Sequence, residues 1–286
     1  MESGLRGRVS FVTGGSRGLG FAAARALAAD GARVVVAAPH EATAAAAAAR
    51  LAPEAAAPDD VAWAVVDNAD PAAPDRLIAA ARDRFGRLDG ALISVGGTPS
   101  GTVAATADEA WRAAFESVFL GAVRLGRVLA ANLDGRSPDG QGPDGQGPGG
   151  QGPGGSGPAA LTGTGGSIAF VLASSVRVPL AELAISNGLF PGLAGVVKTL
   201  AEEFGPSGVR VNGLLPVRVA TDRVRALDAL RGDPDEVRAR LSQQIPLRRY
   251  GEPEEFGRVA AFLLSPAASF ITGSMIPVDG GAIRSI

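Results

Sequence analysis

Short β-branched runs alternate with longer helical stretches along almost the whole of this 286-residue chain. The short runs are Arg8–Thr13, Arg33–Ala38, Val61–Val66, Gly90–Ser94, Ser167–Ala173, Val209–Leu214 and Met275–Val278, each bounded by Gly, Asp or Pro. Between them lie Leu19–Ala29, Glu41–Leu51, Pro74–Phe85, Asp108–Leu133, Leu183–Phe204 and Pro253–Leu264, each long enough for a helix. Such alternation predicts parallel strands, because a parallel pair needs a crossover connection and a helix in that crossover covers one face of the sheet. The strands are apolar almost throughout, the pattern of strands covered on both sides. The expectation is one α/β domain over residues 1–286, a doubly wound parallel sheet of seven strands with helices on both faces.

One segment breaks the alternation. From Pro138 to Pro158 proline recurs every fifth residue, in PDGQG, PGGQG and PGGSG units. The period is not that of collagen, and with no apolar side chain the segment cannot offset the entropy of being ordered. Residues 135–166 therefore read as a flexible Gly/Pro-rich insertion within the domain. It joins the C-terminal end of a helix to the N-terminal end of the next strand, whereas ligands of open α/β sheets bind at the carboxyl edge. A bystander to the chemistry is the reading favoured here; a docking tail is the alternative.

Composition closes several routes. The chain has no cysteine, so disulfides, thiolate zinc sites and cysteine nucleophiles are excluded, and its single histidine, His40, rules out a cluster of imidazoles around a metal. A net charge of −2 without a basic cluster offers no footprint for nucleic acid. No apolar run approaches the roughly 18 residues of a membrane span, and the N-terminus lacks a signal-peptide layout. A soluble, cytoplasmic protein is expected.

The loop after the first strand reads Thr13-Gly14-Gly15-Ser16-Arg17-Gly18-Leu19-Gly20 and opens directly into a helix. Glycines permit the tight turn and let the backbone approach a pyrophosphate, which then rests on the N–H groups at the helix start. Its position, between strand and helix of a βαβ unit, is the context that makes this motif specific and the sheet Rossmann-like. The second strand ends Val36-Ala37-Ala38-Pro39-His40, without the carboxylate that would bond an NAD ribose. Arg17, with His40 nearby, is placed to pair a 2′-phosphate, which favours NADP(H) over NAD. Asp67 and Asn68, after the third strand, are placed to meet the adenine.

Together with later landmarks these residues resemble the classical short-chain dehydrogenase/reductases, over essentially the whole chain outside the insertion, with the β-ketoacyl-acyl carrier protein reductases as the nearest branch. Thr13–Gly20 matches the family's TGxxxGxG loop. Asp89–Gly96 stands where the family has a strand ending in NNAG, and Ser174-Ser175 closes the fifth strand as its catalytic serine does. Arg210-Val211-Asn212, Pro216, Thr221 and Asp222, then Gly251–Glu255 and Ile271–Gly281, complete the series. The resemblance implies cofactor contacts at Gly96, Pro216 and Thr221, and assembly into a homo-oligomer, dimer or tetramer.

The family's chemistry needs an Asn, a Ser, a Tyr and a Lys, the last two spaced YxxxK so that both lie on one helix face. Here that motif is impossible. The single tyrosine is Tyr250 and the single lysine Lys198, far apart and in the wrong order. Counting back from Asn212 and from Ala201 at the family's spacing gives Ser186 for the tyrosine both times, and then Phe190 for the lysine. A rival register puts Leu183 and Asn187 there, and counting from Trp111 puts Val118 at the asparagine. Ser175 alone survives, so the candidate catalytic residues are Ser175 and Ser186. Tyr250 reads as a cap on the helix near Pro253, and Lys198 as a solvated helix residue.

Residues 218–249 should form a lid over the substrate. Its arginines, Arg218, Arg223, Arg225, Arg248 and Arg249 among them, read as solvated faces offset by Asp222, Asp228, Asp233, Asp235 and Glu236, or as attraction for a carboxylate or a phosphopantetheine carrier. The leading expectation is an NADP(H)-dependent oxidoreductase acting on a carbonyl or hydroxyl of a small molecule, free or carrier-bound, through a non-standard proton relay. A non-redox enzyme on the same scaffold and a catalytically silent partner subunit are the alternatives.

Overall fold

The computed structural model describes residues 3–133 and 165–285. Seven strands form one parallel sheet: β1 (Val9–Thr13), β2 (Arg33–Ala38), β3 (Val61–Val65), β4 (Gly90–Ser94), β5 (Ser167–Val171), β6 (Arg210–Pro216) and β7 (Met275–Val278). Their spatial order is β3-β2-β1-β4-β5-β6-β7, so the winding reverses between β1 and β4. At that reversal Phe11 pairs with Ala91 and Val12 with Leu92. The chain leaves β1 and β4 in opposite directions there, which opens a crevice at the carboxyl edge.

The period of two along each strand sorts side chains onto two cores. Val12, Val34, Val36, Leu92 and Leu214 pack beneath α1 (Gly18–Ala29), α2 (Glu41–Leu51) and α9 (Pro253–Leu264). Phe11, Val35, Ala91, Ile93 and Phe170 pack on the other face. They lie beneath α3 (Ala73–Phe85), α5 (Gly121–Leu133) and α6 (Ala184–Phe204), with α4 (Asp108–Ala114) alongside. On the first face α1 and α9 touch so closely that a Cβ on Gly257 would strike the carbonyl of Ala22. The edge strands β3 and β7 are the exceptions to two-sided burial, with Trp63 and Val65 exposed on β3 and Pro277 on β7.

Two stretches differ from the sequence expectation. The helix expected over Asp108–Leu133 is interrupted by a π-helical turn, Phe115–Leu120, which widens the coil around the buried Val118. The expected lid contains two short helices, α7 (Asp222–Ala229) and α8 (Pro234–Ser242), capped by the side chains of Thr221 and Asp233. Most of the Gly/Pro-rich insertion lies outside the described residues. Its flanks, Leu133 at the end of α5 and Ser167 at the start of β5, place its attachment at the amino edge of β5.

Candidate active site

The sequence-predicted site residues lie at the carboxyl edge, in the loops leaving it, or in the first turns of the helices those loops open. Thr13, buried at the end of β1, exchanges two hydrogen bonds with β4: its hydroxyl donates to the Ser94 carbonyl at 3.1 Å and accepts from the Ser94 N–H at 2.9 Å. The Asn68 amide donates to the same carbonyl at 3.3 Å, so β1, β4 and the turn after β3 meet at Ser94. Asp67 is exposed and accepts from the Ala69 N–H, which closes its own turn.

The glycine loop has the shape of a cradle. Gly14 and Gly18 sit at φ of +59° and +56°, in the left-handed region that favours glycine. A Cβ on Gly20 would collide with the Gly14 carbonyl, so Gly20 lets the first turn of α1 fold back onto the loop. Ser16 and Leu19 are half-buried, and Arg17, the exposed residue before α1, caps nothing with its side chain. The first turn of α1 carries no acid and no side-chain cap, so its N–H groups remain available to an anion. A Cβ on Gly96 would meet nothing within 4 Å, and one on Gly18 only the Thr221 side chain, at 3.7 Å. Loop, helix start and open approach fit a dinucleotide.

At the adenosine end, Ala38 closes β2 with no carboxylate beside it, and His40 is exposed immediately before α2. Pro216 ends β6, and Thr221, five residues on, caps α7.

The structure brings Ser175 and Ser186 together. Ser175 follows β5 in a short 3-10 turn, Ser186 lies in the first turn of α6, and both are buried. Their hydroxyl oxygens are 3.1 Å apart, and the Ser175 hydroxyl is also 3.3 Å from the Ser186 carbonyl. Phe190, one turn later, is buried in the core, and Val118 is buried in the π-turn. The rival positions serve the backbone instead. Asn187 clamps Leu180, accepting from its N–H at 2.9 Å and donating to its carbonyl at 2.8 Å.

Tyr250 does not cap α9. That cap is a reciprocal pair in which Glu252 and Glu255 each bond the other's backbone. The Tyr250 hydroxyl instead donates to Asp228 at 2.9 Å; both residues are buried, and Asp228 pairs with Arg218 at 2.5 Å. Burial pushes the phenol above its ordinary pKa, with the Asp228 carboxylate adding to the rise and the Arg218 charge opposing it. This triad, with Tyr250 and Asp228 buried and Arg218 half-buried, ties α7 to the segment before α9. Lys198 is exposed on α6.

Most lid arginines are paired: Arg218 with Asp228, Arg225 with Asp235, Arg231 with Glu182, Arg238 with Glu252 and Arg249 with Glu255. Arg223 differs. Its guanidinium lies on the backbone of Gly97 and donates to the Thr98 carbonyl at 2.6 Å. The sequence counted Arg223 among the lid charges without marking it as a site residue. Nothing in its spacing distinguishes it from Arg225, and only the fold sets it across the crevice.

A parallel sheet reversing at β1/β4, with a glycine cradle at the reversal and polar groups after β5, defines a dinucleotide-binding α/β protein. Comparison with known proteins narrows that class. A model described as short chain dehydrogenase matches residues 8–141, and one described as enoyl-(acyl carrier protein) reductase matches residues 158–282. An uncharacterized oxidoreductase of Mycobacterium tuberculosis is 34% identical over 275 residues, covering 94% of this chain and 89% of that protein. The 3-oxoacyl-[acyl-carrier-protein] reductase of Synechocystis is 32% identical over 98% of both. The L-sorbose reductase of Gluconobacter frateurii, solved with NADPH and L-sorbose, superposes with a TM-score of 0.83 at 26% identity over 100% of both chains. The chain belongs to the short-chain dehydrogenase/reductase family, which binds a nicotinamide cofactor, and it is an oxidoreductase of that type acting on a carbonyl or hydroxyl of a small molecule.

Proposed function

We propose that this oxidoreductase uses NADP(H) and moves its proton through Ser175 and Ser186 in place of a tyrosine–lysine pair. The observation that carries the proposal is the 3.1 Å contact between two buried hydroxyls at the carboxyl edge, where the family's proton-transfer residues would lie. The dinucleotide, when bound, supplies or accepts the hydride. Thr13, Gly14, Ser16, Gly18, Leu19 and Gly20 form its phosphate cradle, with Asp67, Asn68, Gly96, Pro216 and Thr221 along its length. Ser175 faces the substrate oxygen and Ser186 relays the proton to or from water, because a serine hydroxyl donates and accepts at once. A serine is a far weaker acid than a lysine-tuned phenol, so alignment of the reacting groups supplies most of the acceleration.

The choice of NADP(H) rests on charge. Arg17 is exposed at the start of α1 with no carboxylate partner among the described residues, and neither β2 nor Pro39 and His40 after it carry an acid to repel a 2′-phosphate, the nearest in sequence being Glu41, exposed in the first turn of α2. NADPH is expected to bind at least several-fold tighter than NADH in fluorescence titrations, and Arg17→Ala to narrow that gap by weakening NADPH alone. Equal affinities in the wild type would remove the cofactor preference. The substrate is a small molecule, free or carried as an acyl group, and the protein works in the cytoplasm as a homo-oligomer. Stoichiometric loss of NADPH with product, measured over a panel of ketones and β-keto esters, tests the redox reading. Conversion of substrate without cofactor consumption would favour the non-redox one.

A further inference from the structure

Among the charged groups of the lid, Arg223 is set apart by its position. It lies two residues beyond Thr221, whose side chain is the nearest neighbour of Gly18 at the start of α1. From there its side chain crosses to the loop after β4, with the guanidinium on Gly97 and a bond to the Thr98 carbonyl. It therefore ties the start of α7, which neighbours the glycine loop through Thr221, to the loop after β4 on the other border of the crevice. The carboxylates that neutralise its neighbours, Asp228, Asp235, Glu182, Glu252 and Glu255, are engaged elsewhere.

We propose that Arg223 is a phosphate ligand for the dinucleotide, gripping its pyrophosphate from the lid side while the glycine cradle holds it from below. The inference rests on the dinucleotide reading of the site. Its physical basis is an imbalance of charge. Arg17 precedes α1 at the cradle, its charge is felt at Arg223, and neither has a carboxylate partner among the described residues; two like charges so placed repel unless an anion lies between them. Arg223 as a whole is exposed, but the contact of its guanidinium with Gly97 and Thr98 shields it partly from water, and this, with the nearby Arg17 charge second, holds its pKa below the ordinary arginine value. A pyrophosphate reverses that penalty. Its oxygens accept the two parallel N–H bonds of a guanidinium fork, whereas the Thr98 carbonyl takes one bond and carries no net charge. Gly97 serves the arrangement, because any side chain there would occupy the place of the guanidinium.

Arg17 and Arg223 thus divide the labour: Arg17 reads the 2′-phosphate and so distinguishes the two cofactors, while Arg223 acts on both alike. The full chain, its Arg223→Met and Arg223→Lys variants, and Arg17→Ala are titrated with NADPH, NADH and 2′-AMP, which keeps the 2′-phosphate but has no phosphate at the 5′ position. Arg223→Met is expected to raise the Kd of NADPH and NADH by the same factor, about ten-fold or more, with 2′-AMP changed less than about two-fold. Arg223→Lys, which keeps the charge but loses the fork, should recover part of the affinity. It also serves as the test if the methionine variant does not fold. Unchanged dinucleotide affinity in the variants would overturn the proposal, and so would a loss confined to NADPH and 2′-AMP, which would move Arg223 to the 2′-phosphate. A wild type that binds neither dinucleotide overturns the reading beneath it, and that result is visible before any variant is made.

Discussion

In the proposed relay, Ser175 and Ser186 keep the geometry of a proton-transfer site while replacing its chemistry. The turn after β5 and the first turn of α6 still bring two hydroxyls to 3.1 Å, yet the helix position one turn further on holds a buried phenylalanine, Phe190, which can tune neither of them. If the two serines carry the proton, Ser175→Ala should lower turnover by roughly a hundred-fold or more, because positioned proton transfer contributes on that order. NADPH affinity, set by other residues, should stay nearly unchanged in the same titration. Ser186→Ala should be milder where water can enter. The double substitution Ser186→Tyr with Phe190→Lys should raise reduction of simple β-keto esters, since it restores a phenol with an ammonium one helical turn away. No gain from that pair in a correctly folded variant would argue that Ser186 is not the position of the family's tyrosine.

Among the secondary-structure elements, the lid is held from both ends by polar contacts. At one end the triad Arg218–Asp228–Tyr250 fixes α7. At the other, Arg249 grips Glu255 through two bonds of 2.7 Å while Glu255 also accepts from the Glu252 N–H and caps α9. The Arg249 guanidinium, with the Glu252 N–H bond second, holds the Glu255 carboxyl down to about 2 from an ordinary 4.5. The folded pKa is the lower one, so this contribution is fully present above pH 4.5 and is lost as pH falls from there through about 2. Glu255→Gln should therefore melt below the wild type at neutral pH, and the difference should shrink over that window in a series of thermal melts. The Gly/Pro-rich insertion makes the opposite prediction. It enters after α5 and leaves at the amino edge of β5, away from the cradle. Replacing residues 138–158 by a short Gly/Ser link should leave soluble yield and activity within about two-fold, since loop length costs little free energy. Loss of either would make the segment structural or a docking element.

At the scale of the whole molecule, an apolar face remains uncovered. Phe115 is 44% exposed and stacks on Phe119 at 5.2 Å between ring centres, where the π-turn leads into α5. Phe119 in turn lies against Gly192 of α6, and Gly195 beside it has nothing within 4 Å of where a Cβ would be. The helices expected to carry two apolar stripes divide them unequally. Leu189, Leu193 and Val197 go into the core, whereas Phe115, Phe119, Val123 and Val196 stay partly open. Aromatics beside glycines let two helix pairs approach closely, and burying such a face favours association. A dimer or tetramer is expected by light scattering at micromolar concentration, and Phe119→Asp should shift it towards monomer with its circular dichroism intact. A wild-type monomer at those concentrations would remove the assembly reading.

The strand and helix pattern was legible from the residues alone because period and punctuation are local. All seven strands and the cradle with its left-handed glycines follow from short-range sterics and burial, which act over a few residues at a time. The residues also sufficed to show that the tyrosine–lysine pair is missing, since one Tyr and one Lys in the wrong order cannot form it. Pairings across the chain were a different matter. Tyr250 looks like a helix cap in sequence, and only packing gives it Asp228, 22 residues away, as its partner. Asp108–Leu133 reads as one helix because the π-turn changes only the hydrogen-bond step, and no proline in the stretch marks it. Arg223 is one lid arginine among several until the fold lays it across Gly97, 126 positions earlier in the chain. Local periodicity determines the elements; which charges find partners, and which are left facing the crevice, is decided by how those elements close around it.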